Sequence, residues 1–175
     1  MGQNPLDDLD SLGEFSQFIP SSGKLDLGWG KANESVRSEL ATLDSSSSAE
    51  SDYYRCCVSA VWLFQNFLDE SHSISQEIHS AEGSYLHGIM HRREGDYSNA
   101  KYWFRKAGLE GFFEILESWI AEDPTIEESI KQQFALFDPF RLVDAVESNR
   151  DSTESLERLT YLELLAVTQH CYQQI

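Results

Sequence analysis

The chain is poor in basic residues: its 175 residues include 13 Lys and Arg against 30 Asp and Glu, a formal net charge of -17. Binding to DNA, RNA or an anionic membrane depends on Lys and Arg that neutralise phosphate. We therefore expect no nucleic acid and no membrane among its partners. Hydrophobic residues still make up 41% of the chain, too many for a wholly disordered acidic sequence and enough for one folded core.

Cysteine is also scarce, and the three cysteines do not form a disulfide framework or a zinc motif. Cys56 and Cys57 are adjacent, Cys171 lies far from both, and no CxxC pair is present. The N-terminus lacks the basic and apolar regions of a secretory signal, and no run approaches the roughly 18 consecutive apolar residues of a membrane span. Together these absences predict free thiols and a cytoplasmic protein.

The common catalytic and nucleotide-binding motifs are missing as well. The sequence has no GxSxG nucleophile elbow, no phosphate-binding Gly-rich loop and no GxGxxG. Cys56 and Cys57 lie in an apolar stretch, where burial disfavours the reactive thiolate. The many carboxylates are scattered, with no pair singled out for acid–base chemistry. The sequence alone leaves open whether the protein is an enzyme.

What the sequence does contain is helical periodicity. Apolar residues recur every three or four positions, and no alternating run bounded by hairpin turns predicts a strand. We predict an all-α fold, an antiparallel helical bundle with short connections. The predicted helices are 31–43, 53–69, a long helix from a Ser71 or Ser73 cap to Glu94, 97–107, 111–121, 125–136, 139–148 and 154–172.

The predicted organisation is an N-terminal arm, residues 1–50, followed by a helical domain, residues 51–175. The arm mixes acids, glycine and proline with isolated aromatics. We expect Phe15, Phe18 and Trp29 to pack the arm across the domain. The serine-rich stretch DSSSSAES predicts the loop that ends the arm.

One segment, residues 84–108, has a more specific signature, SYLHGIMHRREGDYSNAKYWFRKAG. It resembles a single tetratricopeptide-like helical hairpin in the order of its small, turn and aromatic residues: Gly88, Gly95, Tyr97, Ala100, Phe104 and Ala107. The resemblance implies that Gly88 lets two helices approach closely and that Phe104 packs back on the first helix. Ser84 replaces the aromatic residue of the first helix, and no second copy is evident. The hairpin is therefore expected within a larger bundle.

The motif HGIMHRREGDYSNAKYWFR in this segment also resembles a family of uncharacterised all-helical proteins from bacteria and fungi. These proteins share the hairpin and a later Asp-Pro-Phe-Arg-hydrophobic-Val-Asp stretch, which here runs from Asp138 to Asp144. The resemblance covers half of the chain and implies no activity.

A candidate metal site lies on the first helix of this hairpin. His87, His91 and Glu94 fall on one side of a helix, because the spacing His-x3-His-x2-Glu matches the helical period. Two imidazoles and a carboxylate within short reach suit a divalent metal such as zinc, iron or manganese. The candidates for a further ligand are Asp96, Asp138, Asp144 and His170.

The two histidines have other interpretations. They can be structural, hydrogen-bonded by Tyr97, Tyr102 or an acidic side chain. They can also line a ligand pocket, whose predicted residues are His87, His91, Arg92, Tyr97, Trp103 and Arg105. In that pocket Arg92 or Arg105 would hold a carboxylate or phosphate, and Trp103 would form the floor. Without a ligand, the arginines would pair with acidic neighbours and Trp103 would belong to the core.

Basic residues are concentrated in this hairpin. Residues 84–108 carry five basic and two acidic residues, a net +3, which leaves -20 for the other 150 residues. Either acidic neighbours neutralise the hairpin internally, or it forms a basic surface where an anion docks. We expect a non-catalytic binding module that uses this hairpin to bind a protein, a peptide or a small anionic ligand. The alternative is a small metal-binding protein or enzyme with His87, His91 and Glu94 as metal ligands.

Overall fold

Helices form all the regular secondary structure of the described residues in this computed structural model. The structure describes residues 5–45, 50–149 and 153–175, and none of these ranges contains a strand. Two 3-10 helices, Pro5–Phe18 and Glu34–Val36, precede the first α-helix. The α-helices are α1 (Arg37–Leu43), α2 (Asp52–Phe64), α3 (Leu68–Ser75), α4 (Ala81–Glu94), α5 (Tyr97–Ala107), α6 (Phe113–Glu122), α7 (Glu128–Gln133), α8 (Pro139–Ser148) and α9 (Thr153–Tyr172). The predicted all-α bundle is confirmed.

Capping residues explain the boundaries that the sequence predicts well. Gly95 ends α4 with φ +86°, a left-handed conformation that favours glycine. The Asp96 side chain then accepts the Asn99 backbone N–H at 3.2 Å and begins α5. Asp138 caps α8 in the same way through Phe140 N–H, at 2.9 Å. The predicted ranges 97–107 and 139–148 accordingly match α5 and α8.

The predicted long helix ending at Glu94 is wrong, because residues 76–80 divide it into α3 and α4. The Ser80 side chain accepts the Gly83 backbone N–H at 3.2 Å and starts a new helix. Ile78, within the connection, is buried, and a Cβ added to Gly83 would lie only 2.4 Å from its side chain. The spacing of Ile78 in the sequence therefore fits an apolar helical stripe, although Ile78 lies in a buried turn. At this turn the chain reverses, and α3 packs against α4.

Three other predicted helices are shorter in the structure. Asn66 has φ +64°, so the second helix ends at Phe64 instead of continuing to 69. The helix predicted over 125–136 is reduced to α7, and the one predicted over 31–43 becomes a 3-10 turn followed by α1. Residues 46–49, in the middle of the predicted serine-rich loop, lie outside the described residues.

The N-terminal segment contributes to the same hydrophobic core as the later helices. Phe15 and Phe18 are buried, and the Phe15 ring lies 5.2 Å from Tyr54 and 6.1 Å from Tyr172 between ring centroids. Trp29 is half exposed and does not belong to this core. None of the described helices is long and apolar enough to span a membrane.

α4 is covered on both sides, which places the candidate site inside the protein. A Cβ on Gly88 would lie 2.9 Å from the Phe104 ring, so α4 and α5 are in close contact at this point. α3 packs against α4 as well, and every residue of α4 from Glu82 to Arg93 is buried. Side chains of α4 that a free helix would expose therefore lie between layers.

Candidate metal centre

Three histidine side chains meet where α3 packs against α4. His72 comes from α3, whereas His87 and His91 are one turn apart on α4. One ring nitrogen of each lies within 4.8 Å of the others, and the ring centroids are 4.6 to 5.4 Å apart. His87 and His91 are buried, while His72 is partly exposed. We call these three residues the histidine cluster.

Ser75, at the end of α3, is hydrogen-bonded to His87. Its Oγ lies 3.2 Å from His87 Nδ1 and 3.4 Å from the His72 carbonyl oxygen. When the hydroxyl hydrogen points to that carbonyl, the serine oxygen accepts the N–H of His87 Nδ1. In that tautomer the lone pair of His87 Nε2 is free to bind a metal ion.

The proton of His91 is positioned by Glu94. His91 Nδ1 donates to Glu94 Oε2 at 3.0 Å. Asn99 Nδ2 lies 3.1 Å from Nε2 and 3.4 Å from Nδ1 of the same ring. An amide nitrogen at these two distances in the plane of the ring would overlap Cε1, the carbon between the two ring nitrogens. The Asn99 amide therefore lies over the face of the His91 ring. Nε2 of His91 is thus also free, and a carboxylate on the opposite nitrogen is the usual support of a metal-binding histidine.

Burial keeps the two α4 histidines neutral. It is the largest cause that lowers the pKa of His87, to about 3, and electrostatic interactions with His91, His72 and Lys106 lower it further. Burial also lowers the pKa of His91, although the hydrogen bond to Glu94 acts in the opposite direction. Neutral imidazole is the form that ligates a metal ion.

Aromatic and basic side chains of α5 lie against the histidine cluster. The Trp103 ring is 4.2 Å from the His87 ring between centroids, at an interplanar angle of 38°. Lys106 Nζ lies 4.2 Å from the centroid of Trp103. Trp103 is therefore a wall of the cluster, and an ammonium group is close to it.

The structure places His72, rather than Glu94, beside the two predicted histidines. Glu94 supports His91 from the opposite ring nitrogen, as described above. The other candidate ligands have different partners: Asp96 and Asp138 cap helices, Asp144 pairs with Lys101, and His170 lies 3.5 Å from Glu82.

Arg92 does not line a surface pocket. It is 1% exposed and forms an ion pair with Glu163, which also accepts the hydroxyl of Tyr85 at 2.9 Å. A buried charge of this kind has to be paired, and here α9 supplies the partner. The predicted role of Arg92 in orienting an anionic ligand therefore has no support in its position.

The remaining predicted pocket residues are spread over α5. Tyr97 is partly buried against the core, and Trp103 contacts His87. Arg105 is exposed, with its guanidinium carbon 5.8 Å from the Phe140 ring centroid. Trp103 and the histidines thus form one group, whereas Arg105 belongs to the outer surface.

Sequence reasoning missed His72 because it assumed one continuous helix. In such a helix His72 and His87 would be separated by about 22 Å along the axis. Two signals favour a break: four serines between 71 and 80, which are weak helix formers, and Ser80 followed by Glu82 as a new helix start.

No protein-family model, curated protein or solved structure matches this chain. Both resemblances inferred from residues 84–108 therefore stay predictions.

Proposed function

We propose that this protein binds a divalent transition-metal ion through one ring nitrogen each of His72, His87 and His91. The observation that carries this proposal is the meeting of three imidazole rings from two helices, each with a ring nitrogen within 4.8 Å of the others. Ser75 and Glu94 are hydrogen-bonded to Nδ1 of His87 and of His91, as the supporting groups of metal-binding histidines are. Structural histidines need only satisfied hydrogen bonds, and nothing in that role requires three such rings together.

The ligand set favours zinc among the divalent metals. Imidazole suits zinc, iron, copper and nickel, whereas manganese prefers the oxygen ligands that this cluster lacks. At Zn–N bonds of about 2.0–2.1 Å, the nitrogens of a tetrahedral site are about 3.3 Å apart. The ring nitrogens of the cluster lie within 4.8 Å of one another, so each pair has to approach by about 1.5 Å at most to bind zinc. His72, partly exposed on the short helix α3, is the ring best able to move.

Zinc binding to the purified protein tests this proposal. We expect one zinc ion per chain, and a melting temperature that falls when a chelator removes the metal. His72→Ala should weaken zinc binding about 100-fold or more, because loss of a supporting group alone costs about 10–100-fold. His79→Ala is the matched control, since His79 is exposed outside the cluster. Zinc affinity unchanged by His72→Ala would contradict the proposal.

We also propose a second function for the outer face of α5, as a binding surface for an acidic protein segment. Tyr102 is 54% exposed there, next to Trp103. Arg105 and Lys106 are exposed and form no ion pair with the described residues. Exposed aromatic and cationic side chains together are typical of binding surfaces.

A further inference from the structure

We propose that the metal ion of the histidine cluster binds a small oxyanion at a fourth coordination position, with Lys106 as the second contact of that anion. This inference rests on the proposed metal binding. Its ligand class is a carboxylate or phosphate small enough to bridge the metal and one ammonium group.

The number of protein ligands is the first argument. Within the described ranges the cluster contains three ligating side chains, and no further His, Cys, Asp or Glu places a ligand atom within 4.8 Å of all three. Structural zinc sites are closed by four protein ligands, whereas sites with three keep a position for water or an exogenous ligand. Histidine ligands alone also leave the full charge of the ion uncompensated, which favours an anion at that position.

The position of Lys106 is the second argument. Its Nζ is 4.2 Å from the Trp103 ring centroid, which is itself 4.2 Å from the His87 ring, so the ammonium lies within about 8.5 Å of that ring. A metal ion bound to His87 and an oxyanion on that ion would span much of this distance. Lys106 is exposed and makes no ion pair with any described residue, so it is available to an incoming anion.

The acidic groups near the cluster already have hydrogen-bond partners. Glu94 accepts from His91 Nδ1, and Asp96 accepts from the Asn99 backbone and the Ser98 hydroxyl. Both carboxylates act to raise the pKa of His91, whereas Lys106 acts to lower the pKa of His87. The charge around the cluster is thus asymmetric, with its cation on the Trp103 side.

Cobalt substitution tests the inference, because the visible spectrum of four-coordinate Co²⁺ changes when one ligand is exchanged. Co²⁺-loaded protein would be titrated separately with inorganic phosphate, acetate and bicarbonate, with chloride as the reference anion. We expect a saturable spectral change with at least one oxyanion. Lys106→Met, which keeps an apolar side chain over Trp103, should weaken that binding about 5-fold or more when both proteins are fully loaded with cobalt. Lys101→Met is the matched control, because Lys101 is already paired with Asp144.

The outcomes separate the two proposals. Failure of the protein to bind cobalt would overturn the metal-binding function itself. Stoichiometric cobalt with a spectrum that none of the oxyanions alters would overturn the open fourth position alone. Oxyanion binding equally strong in Lys106→Met and in the native chain would overturn the role of Lys106.

Discussion

At the scale of single residues, one hydroxyl and one carboxylate decide the chemistry of this site. A histidine offers either ring nitrogen to a metal, and the group on the opposite nitrogen selects which one is free. The Glu94 carboxylate accepts from Nδ1 of His91 and leaves Nε2 of that ring for a metal ion. Ser75 has the same effect on His87 when its own hydrogen points to the His72 carbonyl oxygen.

The lowered pKa of His87 leads to a prediction about acid stability. Unfolded His87 takes up a proton near pH 6.5, whereas the folded ring stays neutral until about pH 3. The free energy of unfolding should therefore be highest above pH 6.5 and decrease as the pH falls from 6.5 toward 3. Urea unfolding of metal-free protein at pH 7 and 4.5 would measure this loss, of which His87 accounts for up to about 2 kcal/mol after allowance for solvent screening.

His87→Gln is the informative variant for this prediction, with His79→Gln as its control. The glutamine has no proton to take up, so this variant should lose less stability between pH 7 and 4.5 than the native chain. His79 is exposed outside the cluster, so His79→Gln controls for the replacement of a surface histidine. Equal losses in the native chain and in His87→Gln would show that the buried ring does not resist protonation.

At the scale of helices, boundaries set by local capping residues could be predicted from the sequence, whereas a buried turn could not. Gly95-Asp96 predicts the start of α5 and Asp138-Pro139 predicts the start of α8, because capping depends on residues adjacent in sequence. Ile78 instead looks helical from its spacing, and only its packing against Gly83 shows that it lies in a turn. The assumption of one continuous helix is also the reason why His72 could not be predicted as a member of the cluster. His87 and His91 could be predicted because they share one helix, whereas His72 reaches them only through the turn.

Gly88→Val tests the close contact of α4 and α5. An added Cβ would lie 2.9 Å from the Phe104 ring, and Phe104 is itself buried. Overpacking of this kind should lower the free energy of unfolding by about 1–3 kcal/mol, measured by urea denaturation. Gly28→Ala is a suitable control, because its Cβ would meet only the Arg93 carbonyl oxygen, at 3.9 Å. Stability unchanged in Gly88→Val would mean that the helices have room to separate.

At the scale of the whole molecule, the five basic residues of the 84–108 segment have different roles. Three have partners inside the protein: Arg92 pairs with Glu163 and Lys101 with Asp144, while Arg93 donates to two backbone carbonyls and to Asn66. Burial lowers the pKa of Arg93 to about 10. Arg105 and Lys106 remain on the outside. Acidic neighbours thus neutralise Arg92 and Lys101, neutral oxygens hold Arg93, and two basic side chains remain on the outer surface.

From the exposed side chains of Arg105 and Lys106 we predict that an acidic peptide binds to α5 with an affinity that depends on salt. The affinity of a glutamate-rich peptide, measured by calorimetry, should fall several-fold between about 0.05 and 0.5 M salt, because the screening length shortens to a few ångströms. Arg105→Ala should weaken this binding at low salt. Arg141→Ala is the control, since Arg141 is exposed but bonded to the Gln133 carbonyl oxygen. On a chain of net charge -17, an acidic peptide should be repelled everywhere else, so salt-independent affinity would exclude this face as its site.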